Sequence, residues 1–164
     1  MSHIVVHRAG LIRQYRLRYH CIVILRYVLD TSVVVAALRS NRGASRQLLL
    51  GALDKRFAVL LSVPLMLEYE AVLTRPEHLV ASGLNAREVE RVLDDVAAVA
   101  VPVHLAFHWR PQLRDPNDDM VLETAVSGSA DAIVTFNRRD LATTAANFRC
   151  AVLSPPEALE KIRR

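Results

Sequence analysis

Short apolar runs alternate with helical segments along this chain, and the alternation constrains the fold more than any other feature. Five runs read as strands: Tyr27–Leu29, Phe57–Leu61, Val101–His104, Ala132–Thr135 and Ala151–Leu153. Nearly continuous apolar strands separated by helices are typical of a parallel sheet that is covered on both faces. We therefore predict an α/β fold, a three-layer α/β/α sandwich around a central parallel sheet. The pattern leaves the strand order open.

The helices are predicted from cap residues, prolines and apolar stripes. They lie at Val33–Leu38, Ala44–Leu53, Pro64–Thr74, Asn85–Ala98, Asp118–Ser127 and Pro155–Ile162, and Ala106–Asn117 reads as a loop. The length of 164 residues suits one domain, which we place at 26–164.

Residues 1–25 differ in composition from the rest of the chain. Up to Leu29 there are five arginines and no acid, whereas the remaining residues sum to a charge of −1. The net charge of +4 therefore belongs to this leading segment. We interpret 1–25 as a basic N-terminal extension that can be disordered. An extension without function is favoured, and a nucleic-acid-binding arm is the alternative.

The apolar runs and the two cysteines bear on the compartment. No apolar run approaches the roughly 18 residues that span a bilayer, so we expect no membrane segment. Cys21 and Cys150 both lie in apolar, strand-like runs and read as reduced core thiols. We therefore expect a cytoplasmic protein.

Carboxylates stand where strands end and helices begin. They are Asp30 after the first strand, Glu68 in the helix behind the second, Asp118 and Asp119 at the start of a later helix, and Asp140 after Ala132–Thr135. Ligands bind at the carboxyl edge of such sheets, where these acids would converge. Ionised carboxylates in one place repel each other unless a cation neutralises them. Ligands that are all oxygen favour Mg²⁺ or Mn²⁺, and such ions stabilise charge on a reacting phosphodiester. The pattern predicts a metal-dependent nuclease.

Several of these acids have plainer interpretations. Asp30 could be only the N-cap of the helix that follows. Glu68 and Glu70 lie two apart on one helix, so only one can face a site, and periodicity does not choose between them. Asp115, Asp118 and Asp119 precede or begin a helix, where acids are common for capping and dipole reasons.

A basic stretch follows the first helix. Arg39, Arg42 and Arg46 could contact RNA phosphates beside the acids. A solvated surface explains these residues equally well.

Four segments resemble, in order, the motifs of PIN-domain ribonucleases, in the VapC-like branch of toxin–antitoxin toxins. They are Tyr27–Ser32, Ser62–Pro76, Asp115–Ala125 and Ala130–Leu141, and the resemblance runs from about Arg26 to Ile162. The resemblance implies an α/β/α sandwich, a Mg²⁺- or Mn²⁺-dependent endoribonuclease, a homodimer and a cognate antitoxin.

The resemblance also assigns residues. It implies that Asp30, Glu68 and Asp118 are catalytic and hold the metal. Other polar residues of the motifs are secondary candidates: Thr31, Ser32, Asp115, Asp119 and Thr135. Many members carry an acid where this chain has Asn137, so Asn137 or Asp140 would complete the metal shell.

Two rival functions follow from these residues. A PIN-fold module that binds RNA or protein without cleavage would explain Asn137. A haloacid-dehalogenase-like phosphohydrolase would need a second Asp two residues after Asp30, where Ser32 stands.

Overall fold

A parallel sheet forms the centre of the structure, a computed structural model that describes residues 24–105 and 116–163. Five strands are described: β1 (Arg26–Leu29), β2 (Ala58–Ser62), β3 (Val101–Val103), β4 (Ala132–Val134) and β5 (Ala151–Leu153). Their order is β3-β2-β1-β4-β5, and every described pairing is parallel. The predicted parallel sheet is confirmed.

Helices connect the strands and cover the sheet, which gives the predicted α/β sandwich. They are α1 (Thr31–Arg39), α2 (Ala44–Leu53), α3 (Val63–Leu73), α4 (Pro76–Ser82), α5 (Ala86–Val99), α6 (Pro116–Ser127), α7 (Arg138–Ala146) and α8 (Pro155–Ile162). In the described ranges, no helix is long and apolar enough to cross a membrane.

The central strands are buried on both faces. Tyr27, Val28 and Leu29 of β1 are each at most 2% exposed, and Ile133 and Val134 of β4 are fully buried. Helix coverage of both faces explains why these strands read as continuous apolar runs. The sheet core therefore holds β1 and β4 side by side in a fixed register, with Leu29 opposite Val134.

Local signals set the helix boundaries. Ser62 is the N-cap of α3, and Asn85 and Glu88 form a capping box at the start of α5. The predicted stripe of α5, formed by Val89, Leu93 and Val96, is buried.

Gly128 follows α6 for a packing reason. A Cβ there would lie 2.8 Å from a methyl carbon of Leu60 and 2.9 Å from one of Val103. Only a glycine lets the end of α6 approach β2 and β3 this closely.

Two helices, α4 and α7, are not predicted by the sequence pattern. Arg75-Pro76 is typical of a helix end, but Pro76 also occupies the first turn of α4, where a proline is favourable. Among the described side chains of α7, only Leu141 and Ala145 are fully buried, so its apolar pattern is too sparse to indicate a helix. Residues 106–115 of the predicted loop Ala106–Asn117 lie outside the described residues. Its last two residues, Pro116 and Asn117, belong to α6.

Candidate active site at the carboxyl edge of the sheet

The strand order reverses between β1 and β4, so the carboxyl ends of these two strands form the switch point of the sheet. From β1 the chain moves outward through β2 to β3, then continues on the other side of β1 with β4 and β5. Ligands bind where an open sheet reverses its strand order in this way. Asp30 directly follows β1, and Thr135 directly follows β4.

The Asp30 side chain is directed across this switch point. Its Oδ2 accepts hydrogen bonds of 2.6 Å from Thr135 Oγ1 and of 2.6 Å from Ser32 Oγ. Asp30 does occupy the N-cap position of α1, but its side chain makes no capping hydrogen bond. Helix capping therefore does not account for this carboxylate.

Asp30 is a buried carboxylate, and no cationic side chain among the described residues forms an ion pair with it. Its exposure is 9%, and within the described residues the ion pair that forms is Arg138–Glu157. Buried carboxylates are normally paired with a cation or bound to a metal. The two hydroxyl donors stabilise Oδ2 but bring no positive charge. The position therefore suits a bound cation.

Helix α3 distinguishes Glu68 from Glu70. Its buried face contains Leu65, Tyr69 and Val72, and Glu68 lies at the border of that face, half-buried. Glu70 is exposed. Glu68 is therefore the acid of this helix that lies nearer the interior of the fold.

Tyr69 ties α3 to the end of β1. Its hydroxyl donates a hydrogen bond to the carbonyl of Leu29, the residue before Asp30, and its side chain is 1% exposed. Burial, with a smaller contribution from the charge of Asp30, raises the pKa of Tyr69 above its usual range. The phenol therefore stays protonated and remains a donor.

A second hydroxyl chain ties α3 to α6. The backbone N–H of Leu65 donates to Ser62 Oγ, which lies 2.7 Å from Thr124 Oγ1, and Thr124 Oγ1 donates to the Met120 carbonyl at 2.8 Å. Since each hydroxyl has one proton, Ser62 donates to Thr124. Both side chains are buried, at 1% and 0% exposure. This chain fixes the helix of Glu68 against the helix whose first turn contains Asp118.

A comparison with known families identifies the fold. The model of the PIN domain family matches residues 26–139, which is more than half of the chain. The chain belongs to the PIN domain family. PIN domains are generally nucleases.

One solved structure shows the same fold. This PIN domain superposes on a chain described as "Crystal structure of VapBC2 from Rickettsia felis bound to a DNA fragment from their promoter" with a TM-score of 0.53 and 15% sequence identity. The alignment covers 79% of this chain and 98% of that one. No curated protein sequence matches the chain.

The remaining predicted site residues are only partly described. Asp118 and Asp140 lie in the first turns of α6 and α7, but their side chains are outside the described atoms, as is all of Asp115. Asp119 and Thr31 are half-buried. Asn137 is the exposed N-cap residue of α7, and its backbone N–H donates to Thr135 Oγ1 at 2.9 Å.

The carboxylates that the sequence predicts as metal ligands are therefore described only in part. Among the described side chains, no three His, Cys, Asp or Glu residues come close enough to hold one ion. That set includes Asp30, Glu68 and Asp119, but neither Asp118 nor Asp140. The donors that are described at the switch point are all oxygen, which fits a hard divalent ion.

Sequence reasoning misses the residues that hold this PIN domain's elements together. Tyr69, Ser62 and Thr124 lie inside the PIN-like motifs, but no role for any of them follows from the sequence. The available signal is weak: a tyrosine on the buried face of a helix needs a partner for its hydroxyl, but nothing in the sequence names the Leu29 carbonyl as that partner.

Proposed function

We propose that this PIN domain is a Mg²⁺- or Mn²⁺-dependent endoribonuclease, the toxin of a toxin–antitoxin pair. One observation carries the proposal. Asp30 is a buried carboxylate at the switch point of the sheet, it is oriented by Ser32 and Thr135, and no cationic side chain in the described residues pairs with it. Such a group suits a divalent ion better than a structural role.

Three acids would hold the ion: Asp30, Glu68 and Asp118, with Asn137 or Asp140 completing the shell. When bound, the ion would neutralise these acids and stabilise the charge that develops on the reacting phosphate. The chain's own contribution is orientation. Ser32 and Thr135 fix one oxygen of Asp30, while Tyr69 and the Ser62–Thr124 pair fix the helices that carry Glu68 and Asp118. Preorganised ligands of this kind lose little freedom when the ion binds.

The test compares two acids on the same helix. We expect Asp30→Asn, Glu68→Gln and Asp118→Asn each to abolish Mn²⁺-dependent cleavage of a mixed RNA pool. Glu70→Gln should cleave like wild type, because Glu70 is exposed on another face of α3. Circular dichroism checks that every variant folds.

Two results would contradict this assignment. Near wild-type cleavage by any two of the three acid variants would remove the acids from the reaction. Equal losses for Glu68→Gln and Glu70→Gln would show an effect of charge on the helix rather than of one ligand.

A PIN module that binds without cleaving is the second candidate. The observation that favours it is Asn137, a neutral residue where many relatives carry an acid. RNA that is bound by wild-type protein but left intact in both Mg²⁺ and Mn²⁺ would establish this alternative.

The partners are also part of the proposal. We propose RNA as substrate, a cognate antitoxin and a homodimer in the cytoplasm. The VapBC2 likeness supports the antitoxin only through a shared fold. Co-expression with the product of an adjacent small reading frame tests the antitoxin, and sedimentation of the purified protein tests the dimer.

Arg39, Arg42 and Arg46 are proposed phosphate contacts. Arg39 ends α1 and is exposed, as is Arg42, while Arg46 in the first turn of α2 is half-buried. Arg39 lies about 12 Å along the helix axis from Thr31, the residue after Asp30. One RNA strand could therefore contact both Arg39 and the candidate active site. Charge removal here should reduce the salt dependence of RNA binding.

A further inference from the structure

An exposed aromatic side chain stands beside the candidate active site. Phe136 is 57% exposed, although the three residues before it, Ile133, Val134 and Thr135, are fully buried. A single exposed hydrophobic residue is ordinary on a protein surface. The position of Phe136 is what distinguishes it, because it is one residue from the threonine that holds Asp30.

The backbone around Phe136 is fixed on both sides. The Thr135 hydroxyl donates to Asp30 and accepts from the backbone N–H of Asn137, and the Thr135 N–H donates to the Leu153 carbonyl at 3.0 Å. The backbone that carries the Phe136 ring is therefore already ordered. A ligand that stacks on it would lose little of its binding free energy to ordering the protein.

Two arginines follow Phe136 closely in the sequence. Arg138 and Arg139 begin α7, and both are exposed. Arg138 pairs with Glu157 at 3.2 Å, with side-chain exposures of 51% and 45%. A pair this exposed is weak and can be exchanged for a phosphate. An aromatic face beside arginines is the arrangement that binds single-stranded nucleic acid without reading its sequence.

We propose that Phe136 is a stacking platform for one nucleobase of a single-stranded RNA. Phe136 is bonded to Thr135, whose hydroxyl donates to Asp30, and the Cα atoms of Phe136 and Thr135 are therefore about 3.8 Å apart. The stacked base would then belong to a nucleotide near the bond that is cut. This inference rests on the proposed function, because it takes RNA as the substrate.

The experiment measures RNA binding without cleavage. A single-stranded RNA oligonucleotide is titrated with the full chain, first in EDTA and then in Ca²⁺. We expect Phe136→Ala to weaken binding about tenfold or more. Phe136→Trp should bind at least as tightly as wild type. Phe136→Leu, which keeps an apolar side chain but has no aromatic face, should resemble Phe136→Ala.

A second arm locates the base. A series of oligonucleotides is made, each with an abasic site at one position. At one of these positions, the abasic site should lower the RNA affinity of wild type to that of Phe136→Ala. The same abasic site should not lower the RNA affinity of Phe136→Ala any further. In Phe136→Trp, RNA should quench tryptophan fluorescence more than in wild type, whose single tryptophan is Trp109.

Several outcomes overturn the proposal. The first is that Phe136→Ala binds RNA as tightly as wild type. The second is that Phe136→Leu does so, and the third is that wild type binds no RNA in either buffer. Loss of antitoxin binding in Phe136→Ala with RNA affinity unchanged would assign the ring to a protein interface. RNA cleavage by wild type and its loss in Asp30→Asn are measured separately. The nuclease proposal can therefore be supported when the stacking proposal is contradicted, and RNA stacking can be supported when no cleavage is found.

Discussion

The Thr135 hydroxyl joins the two halves of the candidate site. It donates to Asp30 and accepts from the N–H of Asn137. The residue that follows β1 and the turn before α7 therefore bind the same oxygen atom. The backbone of Asn137 is therefore held near Asp30. Because an amide offers an oxygen but no negative charge, this position is where a change of charge is most informative.

We expect Asn137→Asp to tighten metal binding, since affinity for hard cations rises with ligand charge. Without metal, the variant should be less stable than wild type because a further carboxylate then lies near Asp30. Added Mg²⁺ should restore stability by mass action. Melting curves with and without Mg²⁺ measure both effects. An equal Mg²⁺-induced shift in variant and wild type would place residue 137 outside the metal site and make Asp140 the next acid to test.

At the scale of elements, two hydrogen-bond links anchor α3 to its neighbours. Its N-terminus is linked to α6 through Ser62 and Thr124, and its middle is linked to β1 through Tyr69. The sequence predicts the helix and its cap, but not these links, because a hydrogen bond between distant elements leaves no periodic trace. The choice between Glu68 and Glu70 presents the same difficulty. The structure separates them by burial, which depends on what packs against the helix.

We expect Tyr69→Phe to lower the free energy of unfolding by about 1–3 kcal/mol, because the buried Leu29 carbonyl is then without its side-chain donor. The ring stays in place, so no cavity forms. Chemical denaturation measures the decrease. A Mg²⁺ titration of the same variant is the second measurement: if α3 positions Glu68, Tyr69→Phe should need more Mg²⁺ than wild type for the same gain in stability. A variant with wild-type stability and wild-type Mg²⁺ response would show that this link has no energetic role.

At the scale of the whole molecule, the site depends on strand order. Asp30 and Thr135 are 105 residues apart and meet only because β4 pairs with β1. Periodicity indicates that both residues follow strands, and the fold class follows from the same pattern. That β1 and β4 are neighbours in the sheet does not follow from periodicity, because strand pairing is decided by long-range packing that one sequence does not display. The resemblance to PIN motifs supplies what periodicity lacks.

The boundary of the domain gives the last prediction. Residues 1–23 lie outside the described part of the chain, but Leu25 is half-buried and its carbonyl accepts a 2.8 Å hydrogen bond from the Ala58 N–H. Leu25 is therefore bonded to the sheet at β2. We expect a chain without residues 1–23 to fold and cleave like wild type, because every motif lies downstream. A chain without residues 1–25 should fold but be less stable, since the Ala58 N–H is then without its partner.

Thermal melting of the two truncated chains separates these effects, and RNA binding across salt concentrations tests the extension itself. Arg8, Arg13, Arg16 and Arg18 leave with both truncations. If these arginines bind phosphates, the dependence of log affinity on log salt becomes shallower by up to about 0.7 for each phosphate that is no longer neutralised. If the slope is unchanged, the extension does not bind RNA. Failure of the chain lacking residues 1–23 to fold would instead make the leading segment part of the domain.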